Sequence, residues 1–231
     1  MFEGVNTIVF DADDTLWENE PLFREAEREW AEVLKDYGTL EELSAKLYAV
    51  ESRNMEDLGY GAKAFIISLL ETAVEVTDGK LTGTQAKAMI DAGRKILHNP
   101  AEPLEGVQQT LEKLASLDKY TLVLLTKGDL LDQENKIERS GLGKYFDHVS
   151  IVSNKSHLEY KRLAESLNVR PQNIAMVGNS FKSDIKPVLE LGGWGVYIPF
   201  RITWEHEKTE EFDHPHLVKI EKFSQLLDLF N

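Results

Sequence analysis

Apolar positions along the chain follow two different rhythms, and the change between them divides it. Thr7-Ile8-Val9-Phe10 is a short apolar run that ends abruptly in Asp11-Ala12-Asp13-Asp14-Thr15. Such a run predicts a strand buried on both faces, as in a parallel sheet. Helical spacing then takes over. Leu22, Phe23, Ala26, Trp30, Val33, Leu34 and Tyr37 share one face of a predicted helix over 21–37, with Gly38 as its stop. Thr39 with Glu42 forms a capping-box pattern ahead of Leu43, Leu47 and Val50, and Gly59-Tyr60-Gly61 breaks that second helix. Phe65, Ile66, Leu69, Leu70 and Ala73 mark a third, ending near Thr77-Asp78-Gly79. Thr82 with Gln85 opens a fourth, running toward Leu97. Asn99-Pro100-Ala101-Glu102-Pro103 interrupts helix and reads as a linker.

From Leu104 helix and strand alternate. Helices are predicted over 107–117, 130–139, 156–167 and 183–191, and strands over 120–125, 149–152, 174–177 and 195–198. Phe223, Leu226, Leu227 and Phe230 form a closing amphipathic turn of helix. The fold class is therefore α/β: a Rossmann-like parallel sheet with helices on both faces and an α-helical insertion after the first strand. The expected division is residues 1–16 and 102–231 for the core and 17–101 for the insertion. No repeat or low-complexity stretch complicates it.

Composition narrows the partners. At 231 residues with 42% hydrophobic content the chain can bury a sizeable core. A net charge of −14 disfavours nucleic acid and anionic membrane surfaces. A phosphorylated ligand then needs local positive charge or a metal. Without cysteine there is no disulfide, thiol nucleophile or thiolate metal site. The first strand begins almost at once and no apolar run reaches bilayer length, so the expectation is a cytoplasmic protein with no leader. His206, His214 and His216 are too irregularly spaced for a metal motif. The acidic runs 25–32 and 205–211 read as solvated faces.

The candidate chemistry lies where strands end, since ligands of such sheets bind outside the carboxyl ends. After the first strand come Asp11, Asp13 and Asp14; after the second, Thr126-Lys127-Gly128-Asp129; after the third, Ser153-Asn154-Lys155; after the fourth, Gly178-Asn179-Ser180, with Asp184 beyond. Carboxylates this close repel by roughly 1–4 kcal/mol per pair at 4 Å, unless a cation or a proton intervenes. Oxygen-rich loops suit Mg²⁺, and a hydroxyl with an ammonium suits phosphoryl oxygens.

Asp-x-Asp-x-Thr after a buried strand, followed in order by Thr126, Lys155 and the Gly178-to-Asp184 segment, resembles the haloacid dehalogenase superfamily, in the branch with a helical cap inserted after the first motif. The resemblance spans most of the chain. It implies a small phosphorylated metabolite as substrate and Mg²⁺ as cofactor. Asp11 would be the nucleophile forming an aspartyl-phosphate, and Asp13 would protonate the leaving alkoxide and then activate water. Thr126 and the Lys127 backbone would hold the phosphoryl group. Lys155, preferred over Lys161, would offset charge. Asp11, Asp13, Asn179 and Asp184 would supply metal ligands. Asn179 stands where many relatives carry Asp; either it ligates the metal while Asp184 orients Lys155, or Asp184 takes the metal. Asp14 reads as exposed or locally bonded, and Trp17 and Trp30 as packing residues. Cap positions 17–23 and 59–61 are the expected substrate contacts. A phosphomutase shares these motifs. A 2-haloacid dehalogenase lacks the second Asp and needs no Mg²⁺, and a silent binding module would have lost part of the set.

Overall fold

The computed structural model describes residues 2–231. In chain order the elements are β1 (Thr7–Phe10), α1 (Glu20–Val33), α2 (Leu40–Leu58), α3 (Ala62–Val76), α4 (Gly83–Leu97), α5 (Val107–Ser116), β2 (Thr121–Lys127), α6 (Leu130–Ser140), β3 (His148–Val152), α7 (His157–Ser166), β4 (Ile174–Gly178), α8 (Lys186–Glu190), β5 (Trp194–Tyr197), β6 (Leu217–Lys219) and α9 (Leu226–Phe230). The six strands form one parallel sheet in the order β3-β2-β1-β4-β5-β6. The order reverses at β1, whose Phe10 is in register with Leu124 on one side and Val177 on the other. Such a reversal opens a crevice at the strand ends, and Asp11 is the first residue beyond it.

Alternation within the strands explains why they lie inside. Ile8, Phe10, Leu122, Leu124, Ala175 and Val177 pack on one face with Val107, Leu111, Phe223 and Phe230. Val9, Val123, Leu125, Ile174 and Met176 pack on the other with Tyr160, Leu163 and Val188. With neighbours on both sides, Ile8, Val9 and Phe10 are fully buried, and the one polar member of β1, Thr7, donates its hydroxyl to Asn6 at 2.9 Å.

Helices α1–α4 surround a separate apolar centre that includes Trp30, Leu34, Leu43, Leu69 and Met89. Both capping boxes form, Thr39 with Glu42 on α2 and Thr82 with Gln85 on α4. The Trp30 indole donates to the Leu69 carbonyl at 3.0 Å, which satisfies the one polar atom of a fully buried ring. Trp17, by contrast, packs in the sheet-side core rather than among these helices.

Three local expectations differ from the structure. A sixth strand, β6, extends the sheet edge. Strand β2 runs on through Thr126 and Lys127, so both are fixed by the sheet rather than by a loop. The helix expected over 183–191 is a π-helical turn, Phe181–Ile185, followed by the short α8. Wide turns of this kind concentrate at functional sites, and this one carries Asp184.

Replacing Trp30 by alanine is expected to destabilise the protein by about 3–5 kcal/mol, through lost burial and the cavity left behind. The check is a denaturant unfolding curve followed by α-helical circular dichroism; a loss below about 1 kcal/mol would show that α1–α4 do not depend on this residue.

Candidate active site

The residues after β1 fold back sharply. The Leu16 and Thr15 amides return to the Ala12 carbonyl at 2.7 and 3.2 Å, and the Asp14 amide donates to the Trp17 carbonyl at 2.7 Å. Asp14 takes the left-handed conformation, φ +61°, which aspartate tolerates better than most residues. It is buried, not exposed. Its carboxylate accepts the Asn19 amide at 2.8 Å and the Glu20 amide at 3.0 Å, closing the first turn of α1. Asp14 thus joins the catalytic-loop candidate to the helical insertion.

The turn delivers Asp11 and Asp13 to one pocket, which Thr126, Lys127, Lys155, Asn179 and Asp184 also line. The structure thus brings together the strand-end residues given a role in the chemistry, whereas Asp129 pairs with Lys63 and Ser153 and Asn154 are exposed outside the pocket. Lys155 is buried and contacts Asp11, with its Nζ also donating to Asp184 at 2.7 Å. Lys161 is exposed on α7. Burial works against the Lys155 charge, but attraction to Asp11 and Asp184 outweighs it and raises the lysine pKa. Burial pushes Asp184 up to about 7 against the pull of Lys155. Gly178 is required for this geometry: a Cβ there would lie 2.2 Å from the Asp184 carboxylate.

Asp13 has a lysine of its own. Lys136, 3% exposed, donates to its two oxygens at 2.7 and 2.8 Å, Gln133 donates at 2.8 Å and the Trp17 indole at 2.8 Å. Burial disfavours the Asp13 charge, yet Lys136 and these hydrogen bonds prevail and lower its pKa. Neither Gln133 nor Lys136 stands out in the sequence. Their only signal is position, since both fall on the α6 face that carries Ile137 (i, i+3, i+4).

A third pair was masked by its acidic neighbourhood. Glu207, from the run expected to be solvated, is inside the pocket, ion-paired to Lys127 and accepting from the Ser180 and Ser183 hydroxyls. Burial opposes its charge, but Lys127 and the hydroxyls hold its pKa below the usual carboxylate value. Lys127 also lies over the Tyr60 ring, 4.6 Å from its centroid. From the helical insertion, Asn19, Glu20, Phe23, Tyr60 and Gly61 reach the same pocket.

The fit to a divalent cation can be read from the oxygens. The Thr15 hydroxyl lies 2.8 Å from Asp11 Oδ2 and 3.1 Å from Asn179 Oδ1, so a carboxylate and an amide oxygen from adjacent strands lie beside one hydroxyl. One carboxylate, further oxygen donors and water are the usual environment of Mg²⁺, and these two residues fit it. Asp13 is held by Lys136, Gln133 and Trp17, and Asp184 by Lys155 and the Ser180 amide at 3.0 Å, while Asp11 shares Lys155 with Asp184. Among the described residues no three acidic or imidazole side chains converge on a metal-sized space. The three histidines from 206 to 216 form no such group.

A six-stranded parallel sheet with a polar pocket at its switch point, reached also by residues of the inserted helices, defines a Rossmann-like α/β fold. The chain belongs to the haloacid dehalogenase-like hydrolases, whose family model matches residues 5–192. A crystal structure of a haloacid dehalogenase-like family hydrolase from Xanthomonas campestris superposes with a TM-score of 0.87 at 35% identity, over 98% of this chain and 90% of that one. Glyceraldehyde 3-phosphate phosphatase of Methanocaldococcus jannaschii is 25% identical over 97% of this chain and 96% of its own length. The Escherichia coli 5-amino-6-(5-phospho-D-ribitylamino)uracil phosphatase YigB is 27% identical over 81% of each. No helix among the described residues is long and apolar enough to cross a membrane.

Two buried acids predict how stability follows pH. Burial raises Asp14 to about 7 and, despite Arg24 at 2.9 Å, Glu20 to about 8. Each therefore binds its proton more tightly in the folded state, and stability falls as pH climbs from near 4 to about 8. Melting temperature measured from pH 5 to 8.5 is expected to decline, and Glu20→Gln to flatten the upper part of the decline. An unchanged slope in that variant would remove Glu20 from the account.

Proposed function

We propose that this protein is a Mg²⁺-dependent phosphatase that hydrolyses a small phosphorylated metabolite through an aspartyl-phosphate on Asp11. The observation that carries the reading is Lys155 bridging Asp11 and Asp184 inside a pocket also lined by Thr126. A carboxylate paired with a buried ammonium is placed as a nucleophile, and ammonium and hydroxyl together match phosphoryl oxygens. Two curated relatives bearing phosphatase names support the same chemistry.

In this reading residues 17–101 act as the cap and residues 1–16 with 102–231 as the catalytic core. Asp11 attacks phosphorus, the bond to the leaving oxygen breaks, and water later cleaves the acyl phosphate to return Asp11 and release phosphate. Asp13 in its acid form gives its proton to the leaving alkoxide; the carboxylate so formed, which Lys136 favours, then takes a proton from the attacking water and is returned to the acid. Thr126 and the Lys127 backbone orient the phosphoryl group. Mg²⁺, held by Asp11 and Asn179, would offset phosphoryl charge when bound. Asp184 then serves to place Lys155 rather than to ligate. Asp13 also weighs against the dehalogenase alternative. A phosphomutase would share this core and differ in how its cap retains the phosphorylated intermediate.

The test is p-nitrophenyl phosphate hydrolysis by wild type and Asp11→Asn, with Mg²⁺ and with EDTA. Activity is expected to require the metal and to drop at least 10³-fold in the variant, a loss on the scale measured when an enzyme nucleophile is removed. Activity that survives Asp11→Asn would overturn the assignment. Because Asn179 is neutral, Asn179→Asp is expected to lower the Mg²⁺ concentration needed for half-maximal rate by about tenfold, a gain of roughly 1.4 kcal/mol. An unchanged Mg²⁺ dependence would exclude Asn179 as a ligand.

A further inference from the structure

We infer that the pocket selects phosphate esters whose alcohol part is uncharged over those whose alcohol part carries a carboxylate, and that Glu207 sets this preference. The inference rests on the phosphatase reading and specifies its substrate class.

It follows from how the charges in the pocket are paired. Three lysines line it, Lys127, Lys136 and Lys155, with no arginine and no histidine. Each is already neutralised by a carboxylate of the same pocket. Lys155 is bound to Asp11 and Asp184, and Lys136 to Asp13 with Asp132 3.7 Å away. Lys127 is the lysine nearest the aromatic wall built by Tyr60 and Trp204, where a leaving group would lie, and Glu207 occupies it. Glu207 is anchored a second time by the Ser183 hydroxyl at 2.7 Å, so the pair is built into the core rather than left to a mobile side chain. Among the described residues that line the pocket no unpaired cation is left to receive a second anion. A substrate carboxylate would have to displace Glu207 from Lys127, setting one buried negative charge against another.

The pocket is thus matched to one anionic group, the phosphoryl, on an uncharged body.

Glycerol 3-phosphate and 3-phosphoglycerate share a carbon skeleton and differ by a hydroxymethyl against a carboxylate, so they isolate the effect. Their inhibition constants are measured against p-nitrophenyl phosphate hydrolysis at saturating Mg²⁺, which gives a value for either compound whether or not it is itself turned over. The wild type is expected to bind glycerol 3-phosphate at least fivefold more tightly; a smaller preference overturns the proposal. Glu207→Gln, which frees the Lys127 charge, is expected to reduce the preference at least fivefold by tightening 3-phosphoglycerate. A preference that survives removes Glu207 as its source. If Glu207→Gln fails to fold, the wild-type ratio alone decides. Absence of any p-nitrophenyl phosphate hydrolysis in the wild type overturns the phosphatase reading and this proposal with it. Hydrolysis without discrimination overturns this proposal alone.

Discussion

The buried ammonium of Lys155 is what allows the carboxyl edge of the sheet to exist in this form. Asp11 and Asp184 follow adjacent strands and are brought together, both buried. Two such charges at 4 Å repel by about 4 kcal/mol even at an effective dielectric of 20. Lys155 contacts both and turns that repulsion into two attractions. Removing one member of a buried ionic group typically costs 3–5 kcal/mol, because the remaining charge is stranded. The constraint reaches into the backbone. Asp184 closes against the strand end only because Gly178 has no side chain, and the π-helical turn after Ser180 sets the carboxylate at the right height.

The same solution recurs twice around the pocket, with Lys136 for Asp13 and Lys127 for Glu207. Each lysine comes from a different element, α7's leading loop, α6 and the end of β2, so each couples a further part of the core to the β1 turn. A chain with net charge −14 would otherwise present a purely repulsive mouth to a phosphate ester. Pairing gives each of the three pocket lysines a carboxylate partner, while acidic residues still outnumber them, and the oxygens of Asp11 and Asn179 lie beside the Thr15 hydroxyl.

What the sequence made legible was governed by how local each signal is. The buried strand before Asp11, the two capping boxes and the order of the strand-end motifs depend on neighbours within a few residues, and all are visible in the chain. Lys155 could be preferred over Lys161 because a loop between strand and helix points at the rim while a helix interior does not. Strand β6 was hidden because Leu217-Val218-Lys219 is three residues long, below the length at which alternation is recognisable. Lys136 looks like the partner of an ordinary i, i+4 surface pair with Asp132, and only the approach of the β1 turn shows it to be buried. Glu207 lies among four other acidic residues between 205 and 213, where a solvated face is the natural reading. Its burial is decided by Ser180, Ser183 and Lys127, none of them near in sequence.

That segment also connects the pocket to the helical insertion. His206 stacks on Tyr48 of α2 with ring centroids 4.2 Å apart and lies 3.6 Å from Glu51, while the next residue, Glu207, neutralises Lys127. Trp204, two residues earlier, meets Tyr60 at the junction of α2 and α3. One short stretch of the core therefore contacts the roof and fixes a charge on the floor. Residues 204–207 thus tie α2 and the α2–α3 junction to the Lys127–Glu207 pair through two aromatic contacts and one ion pair. A substitution that removes His206 from the Tyr48 ring therefore acts on the residue next to Glu207, although neither ring belongs to the pocket's charged groups.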